Sequence, residues 1–144
     1  MSPKEEQAAF NEAFAAANAA FQQEEWPQAL ALCEEVLAQN AQQELVWLLK
    51  ARCLVLLGQW MPAREAFAQT LRINMGNYSA WLEAGHLCRQ MGELQQAALS
   101  YQKAIDVAPQ RYEALLGMAR VLMLQGHEAN ANRAYQDAAQ AAGA

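Results

Sequence analysis

Residues 78–111 read YSAWLEAGHLCRQMGELQQAALSYQKAIDVAPQR, and this stretch decides the fold. Trp81, Gly85 and Cys88 stand at i, i+4 and i+7, so they share one face of a helix. Gly92 interrupts the pattern; glycine suits a helix C-terminus because it enters the left-handed conformation without a Cβ penalty. Ala97, Tyr101, Ala104 and Ile105 resume the helical period, and Pro109 closes the stretch because proline cannot continue a helix. Two helices joined by a tight turn are therefore expected. On the pattern, Gly85 and Ala97 face each other across this hairpin. Small-on-small contact would let the helices approach while Trp81 and Tyr101 fill the space around it.

The pattern recurs outward at a fixed step. Ala29, Ala63, Ala97 and Ala131 are each 34 residues apart, as are Gly58, Gly92 and Gly126. Trp26 and Trp60 keep the same step without a gap, as do Trp47 and Trp81, and so do Leu37, Leu71 and Ile105. Cys33, Phe67, Tyr101 and Tyr135 form another such series. The chain is a four-unit repeat.

Composition points the same way. The 144 residues include 32 Ala, 18 Leu and 17 Gln but only 8 β-branched residues, which favours helix and nearly excludes a sheet of any size. The longest apolar stretches, 45–49 and 53–57, fall far short of the roughly 20 residues that span a bilayer. A net charge of −5 argues against a nucleic-acid footprint, which needs a basic face. The opening MSPKEEQAAF carries two glutamates and no long apolar core, so it does not read as a secretory signal. Cys33, Cys53 and Cys88 form no close pair and no CxxC. They read as free thiols, small buried hydrophobes in a reducing compartment rather than disulfides or zinc ligands. A cytoplasmic location is expected.

The 34-residue spacing with Trp81, Gly85, Gly92, Ala97, Tyr101, Ala104 and Pro109 resembles the tetratricopeptide repeat (TPR) family. The resemblance covers residues 10–144, in units 10–43, 44–77, 78–111 and 112–144, with 1–9 as an N-terminal helix extension of a single domain 1–144. It implies an all-α, right-handed α-solenoid of four antiparallel helix pairs, with a concave face lined by the first helix of each pair. The first unit departs from the family pattern, with Ala13 where Trp is favoured, Glu24 for the turn glycine and Cys33 for the aromatic. Ser2, Pro3 and Glu5 form a capping-box pattern with proline at the first helical position, so the first helix is expected to start there, about two turns early. At the other end the series Leu37, Leu71, Ile105 becomes Ala139, and Leu30, Arg64, Ala98 becomes Asn132. Three readings stand: an end adapted to solvent, a domain whose next helix would cover Ala138, Ala139 and Ala142, or self-association through that Ala-rich face.

Catalysis has little to rest on. His86 and His127 are the two histidines, neither in a familiar catalytic motif, and His127 follows Gly126 in a turn. No cofactor and no metal site is expected. Glu24-Glu25 and Glu34-Glu35 read as solvated faces. Binding is better supported. Off the Trp/Gly stripe, the first helices carry Phe14, Asn18 and Phe21; Leu48, Arg52 and Val55; Leu82, His86 and Arg89; and Leu116, Arg120 and Met123. Each set follows i, i+4, i+7 and shares a helix face. By the resemblance this stripe falls on the concave surface, where family members hold a peptide or helix of a partner. The apolar row Phe14, Leu48, Leu82 and Leu116 has a second reading as packing alone. Arg52, Arg89 and Arg120 beside it fit a core poorly, because unpaired buried charge is costly, although arginines can also snorkel over apolar surface.

Residues 1–43 carry one Lys and seven Glu, whereas 44–144 carry nine basic and eight acidic residues. A partner with apolar anchors and some acidic residues is therefore expected toward units two to four. Similarity to the TPR clamps that grip acidic chaperone tails extends only to Asn18, since Phe14, Leu49, Ser79 and Glu83 occupy the other clamp sites. Ala15, Leu49, Glu83 and Gly117 likewise stand where TPRs attached to protein O-glycosyltransferases carry an asparagine ladder. The expected function is a non-enzymatic interaction scaffold binding a partner peptide or helix in the concave groove. The alternative is a substrate-recruiting or regulatory arm of a larger enzyme such as a transferase. The chain is expected to be a monomer or to self-associate weakly through its C-terminal Ala-rich helix, with no nucleic acid bound and no membrane insertion.

Overall fold

A computed structural model describes residues 2–143; Met1 and Ala144, the outermost residues of the expected extension and last unit, lie outside the described residues. Among these are eight helices and no strand: α1 Pro3–Gln22, α2 Trp26–Gln39, α3 Glu44–Leu56, α4 Trp60–Ile73, α5 Tyr78–Gln90, α6 Leu94–Val107, α7 Tyr112–Leu124 and α8 Glu128–Gly143. The second, third and fourth pairs start at Glu44, Tyr78 and Tyr112, one 34-residue step apart. The expected all-α class and its paired helices are what the chain forms.

One turn joins the two helices of every pair. Gly58, Gly92 and Gly126 take φ of +77°, +78° and +83°. The residue after each glycine donates its N–H to a carbonyl five positions back: Gln59 to Leu54, Glu93 to Cys88 and His127 to Leu122, each at 2.9 Å. The glycines themselves donate to Val55, Arg89 and Met123. This is the Schellman arrangement, which satisfies carbonyls that a helix C-terminus otherwise leaves open. The first pair makes the same turn with a glutamate. Glu24 has φ +62°, its N–H reaches Phe21 at 3.0 Å, and Glu25 reaches Ala20 at 2.9 Å. The departure at Glu24 therefore leaves the geometry intact and adds backbone strain instead.

α1 begins where the capping pattern places it. The Ser2 hydroxyl accepts from the Glu5 N–H at 3.2 Å and donates to the Glu5 carboxylate at 3.2 Å, with Pro3 in the first turn. α1 runs 20 residues against 13 for α3, α5 and α7.

The chain divides into two compact units, one ending at Met75 and one beginning at Gly76. In the first, α1, α2 and α3 enclose Ala17, Cys33, Val36, Leu37, Val46 and Leu49, with Phe10, Phe14 and Trp47 packed against them. Ala20, Ala29 and Cys53 form a second cluster of the same unit. All three cysteines are buried and free, as expected of them. Burial pushes the Cys33 thiol up to about 12 and the Cys53 thiol up to about 11, so neither is a nucleophile at neutral pH.

In the second unit the fully buried Tyr101 ring of α6 is clamped between glycines of α5 and α7. A Cβ on Gly85 would lie 2.7 Å from that ring, and one on Gly117 2.5 Å. On its Cβ side Gly85 thus meets Tyr101, and the glycine makes room for that ring. Tyr78 of α5 ties the same helices at one end: its hydroxyl accepts from the Ala114 N–H at 3.1 Å and donates to Glu113 at 3.3 Å. A side chain from another helix thereby caps α7, with the Arg111 guanidinium 4.2 Å from the Tyr78 ring centre.

Replacing Glu24 by Gly should raise stability by about 0.5–1 kcal/mol, because the backbone conformation is already the glycine one; urea unfolding followed by far-UV circular dichroism checks this, and an unchanged or lower midpoint contradicts it. Gly117→Ala should destabilise by about 1–3 kcal/mol through overpacking against the clamped ring, in contrast with the gain that Gly→Ala gives in an uncrowded helix.

Candidate partner-binding face

Each residue set singled out in the sequence lies on the first helix of a pair, with its three members on one face. On α1, Phe14, Asn18 and Phe21 are half-buried. Phe14 stacks on Phe10 with centroids 5.7 Å apart, and Phe21 tilts against Trp26 at 4.9 Å. On α3, Arg52 and Val55 are half-buried, but Leu48 is only 5% exposed. Leu48 is therefore core, and no partner can reach most of it. On α5, Leu82, His86 and Arg89 are half-buried, and Leu82 packs against both clusters of the second unit. On α7, Leu116 is half-buried while Arg120 and Met123 are exposed. The apolar row divides between packing and surface, and the polar members stay at the surface.

In the second unit two of these side chains meet at Tyr101, a member of the buried aromatic series. The Tyr101 hydroxyl lies 2.6 Å from His86 Nδ1 and accepts from Arg89 Nε at 3.3 Å. The His86 and Tyr101 rings meet edge-on, 5.4 Å between centroids. Burial, then the charge of Arg89, holds His86 below its ordinary value; Glu83 opposes the shift and Arg120 adds to it. The imidazole is consequently neutral at pH 7, and with its proton on Nε2 it accepts the tyrosine O–H at Nδ1. Burial pushes the Tyr101 hydroxyl up, and the neighbouring guanidiniums of Arg89 and Arg120 pull it down. Chemically, the face offers the guanidiniums of Arg89 and Arg120 and a neutral imidazole beside Leu82 and Leu116, while the fully buried Tyr101 hydroxyl holds His86 and Arg89 from beneath. Such a set can receive a carboxylate next to an apolar anchor. A hint was present: of Cys33, Phe67, Tyr101 and Tyr135, only the last two carry a hydroxyl, which packing does not require.

The remaining acids and histidine behave as solvated groups. Glu24, Glu25, Glu34, Glu35 and His127 are exposed. Among the described residues no three His, Cys, Asp or Glu side chains group as metal ligands would, and no helix is long and apolar enough to cross a membrane.

Four helix hairpins, each closed by one left-handed residue and repeated every 34 positions, define a helical-repeat protein. The fold is that of tetratricopeptide repeat proteins, and the tetratricopeptide repeat model matches residues 20–84 of the sequence. A crystal structure of MamA is similar with a TM-score of 0.89, covering 92% of this chain and 77% of its own at 14% identity. The OM64 TPR domain of Arabidopsis gives 0.75 at 20% identity, covering 79% and 94%. The first TPR of Spaghetti (RPAP3), bound to the HSP90 peptide SRMEEVD, gives 0.78 at 14% identity, covering 81% and 93%. In sequence, the Protein CTR9 homolog of Arabidopsis thaliana is 30% identical over 82 residues, which are 57% of this chain; the chain spans only 8% of that relative's length.

The depressed His86 fixes a sign. Between its folded value and 6.5 the unfolded chain binds the proton that the folded chain does not, so stability is fully present above pH 6.5 and is lost as pH falls. In a His127→Gln background, NMR titration of the remaining imidazole should report a value under 6.5, and Arg120→Gln should move it back up. No response to Arg120→Gln would separate that arginine from the cluster.

Proposed function

We propose that this chain is a non-enzymatic adaptor, which binds a peptide or helix of a protein partner on the first-helix faces of its repeats. Tetratricopeptide repeats are in general interaction modules, and the matched family is not a catalytic one. The single observation that carries the reading is the cluster where His86 and Arg89 of α5 meet the Tyr101 hydroxyl of α6, with Arg120 of α7 acting on it electrostatically and Leu82 and Leu116 partly exposed. Arg120 is exposed and Arg89 half-buried beside Leu82 and Leu116, so a ligand with an apolar side chain next to a carboxylate would meet complementary groups there.

In this reading Phe14, Phe21, Val55, Leu82, Leu116 and Met123 desolvate the partner's apolar side chains. Arg52, Arg89 and Arg120 pair with its carboxylates, and Asn18 and His86 add directional hydrogen bonds. Leu48 supports the face from below. Residues 1–144 act as one interaction domain, cytoplasmic, monomeric or weakly self-associating through α8, on which Ala139 and Ala142 are exposed while Ala138 is already buried. The fold-level similarity to a TPR bound to an acidic peptide supports an acidic ligand class. The clamp positions of such domains are not reproduced here, so the contacts would be this chain's own.

Affinity capture from native lysate, with wild type beside Arg52→Glu plus Arg120→Glu, tests the reading. The double variant should keep its helical circular dichroism and lose most partner capture, together with the salt dependence of what remains. Equal recovery of the same partners by both proteins would remove these faces from the binding surface.

A further inference from the structure

A second surface belongs to the first unit, on α1 and α2. Where the early turns of α1 run past the end of α2, the two helices part around an open groove of about 840 Å³. Its floor is apolar, made by Phe10, Ala13, Leu32 and Val36, and its rims carry Glu6 on α1 and Glu35 on α2. No Lys or Arg is among its lining residues. Phe10, Ala13 and Leu32 are half-buried and both glutamates are exposed, so the floor keeps apolar surface that a ligand can cover. On α1, Phe10 shares a face with Phe14, which stacks on it at 5.7 Å, so the groove continues that stripe toward the start of the helix.

We propose that this groove is a docking site for a basic amphipathic segment of a protein partner, in which leucine-sized side chains are flanked by Lys or Arg. Charge selects the occupant. Residues 1–43 hold seven Glu against one Lys, so an acidic peptide, a nucleic acid or an anionic lipid surface is repelled here. The apolar floor rewards a ligand that brings hydrophobic side chains, and the two carboxylates on opposite rims pair with cations on either side of them. The volume is within the range that holds a few side chains. The extended α1, fixed at its start by the Ser2–Glu5 capping bonds, supplies one wall. The site's ligand is thus opposite in charge to the one proposed for the α5–α7 cluster.

The test is a ¹H–¹⁵N NMR titration of the full chain with a short amphipathic leucine–lysine peptide, and with its leucine–glutamate counterpart as control. Amide shifts should concentrate at Gln7, Phe10, Val36 and Gln39 for the lysine peptide and be absent there for the glutamate peptide. Glu6→Lys plus Glu35→Lys, both at exposed positions, should leave the fold intact and weaken binding about tenfold. Arg52→Glu plus Arg120→Glu should leave it unchanged, which separates this site from the arginine-bearing faces of α3 and α7. Lysine-peptide shifts that fall elsewhere, an affinity indifferent to the Glu6 and Glu35 reversal, or concentration-dependent shifts of the same amides without peptide (a second copy in the groove) would each overturn the proposal.

Discussion

Every helix pair in this chain depends on one residue leaving the helix with positive φ. That residue lets the chain reverse while the following N–H reaches back five positions to close the end of the first helix. Gly58, Gly92 and Gly126 do this at no steric cost, and Glu24 does it under strain in a turn flanked by the buried Ala20 and Ala29. Once the turn is set, the angle and offset of the second helix follow. Alanines at the 29, 63, 97 and 131 positions are then buried completely, with no side-chain entropy to lose.

The second constraint links packing to the surface. Tyr101 is pinned between two missing Cβ atoms, on Gly85 and Gly117, so its ring has one place to go. That placement aims the hydroxyl at His86 and Arg89. An aromatic that fills space thereby organises a polar cluster on the first helices. The cluster also has an internal logic: a neutral imidazole is tolerated near the charges of Arg89 and Arg120 because it accepts a hydrogen bond rather than adding charge. Tyr78 shows the same economy of means, as a buried ring whose hydroxyl closes the start of α7.

Much of the helical architecture was legible in the sequence because its signals are local and repeated. The glycine step, the capping residues Ser2 and Glu5, and the stop at Pro109 each act within a few residues, so chain position alone reports them. The candidate face was legible only as a stripe. Periodicity told that Leu48 and Arg52 share a side of α3, and it carried no information on which neighbour covers that side. Leu48 is covered and Arg52 is partly open. The role of Tyr101 was hidden for the same reason, since its contacts with Gly85, His86, Arg89 and Gly117 run between helices, across 12 to 16 residues of chain.

By itself, then, the sequence determined the helices, their pairing and the repeat step, because turn chemistry and side-chain period are properties of consecutive residues. Only the tertiary structure decided which members of each stripe are core and which meet solvent, where the Tyr101 hydroxyl points, and that α1 and α2 part to leave a groove. Those outcomes depend on how close two helices can come, and that distance is set jointly by side chains that no single stretch of the chain contains.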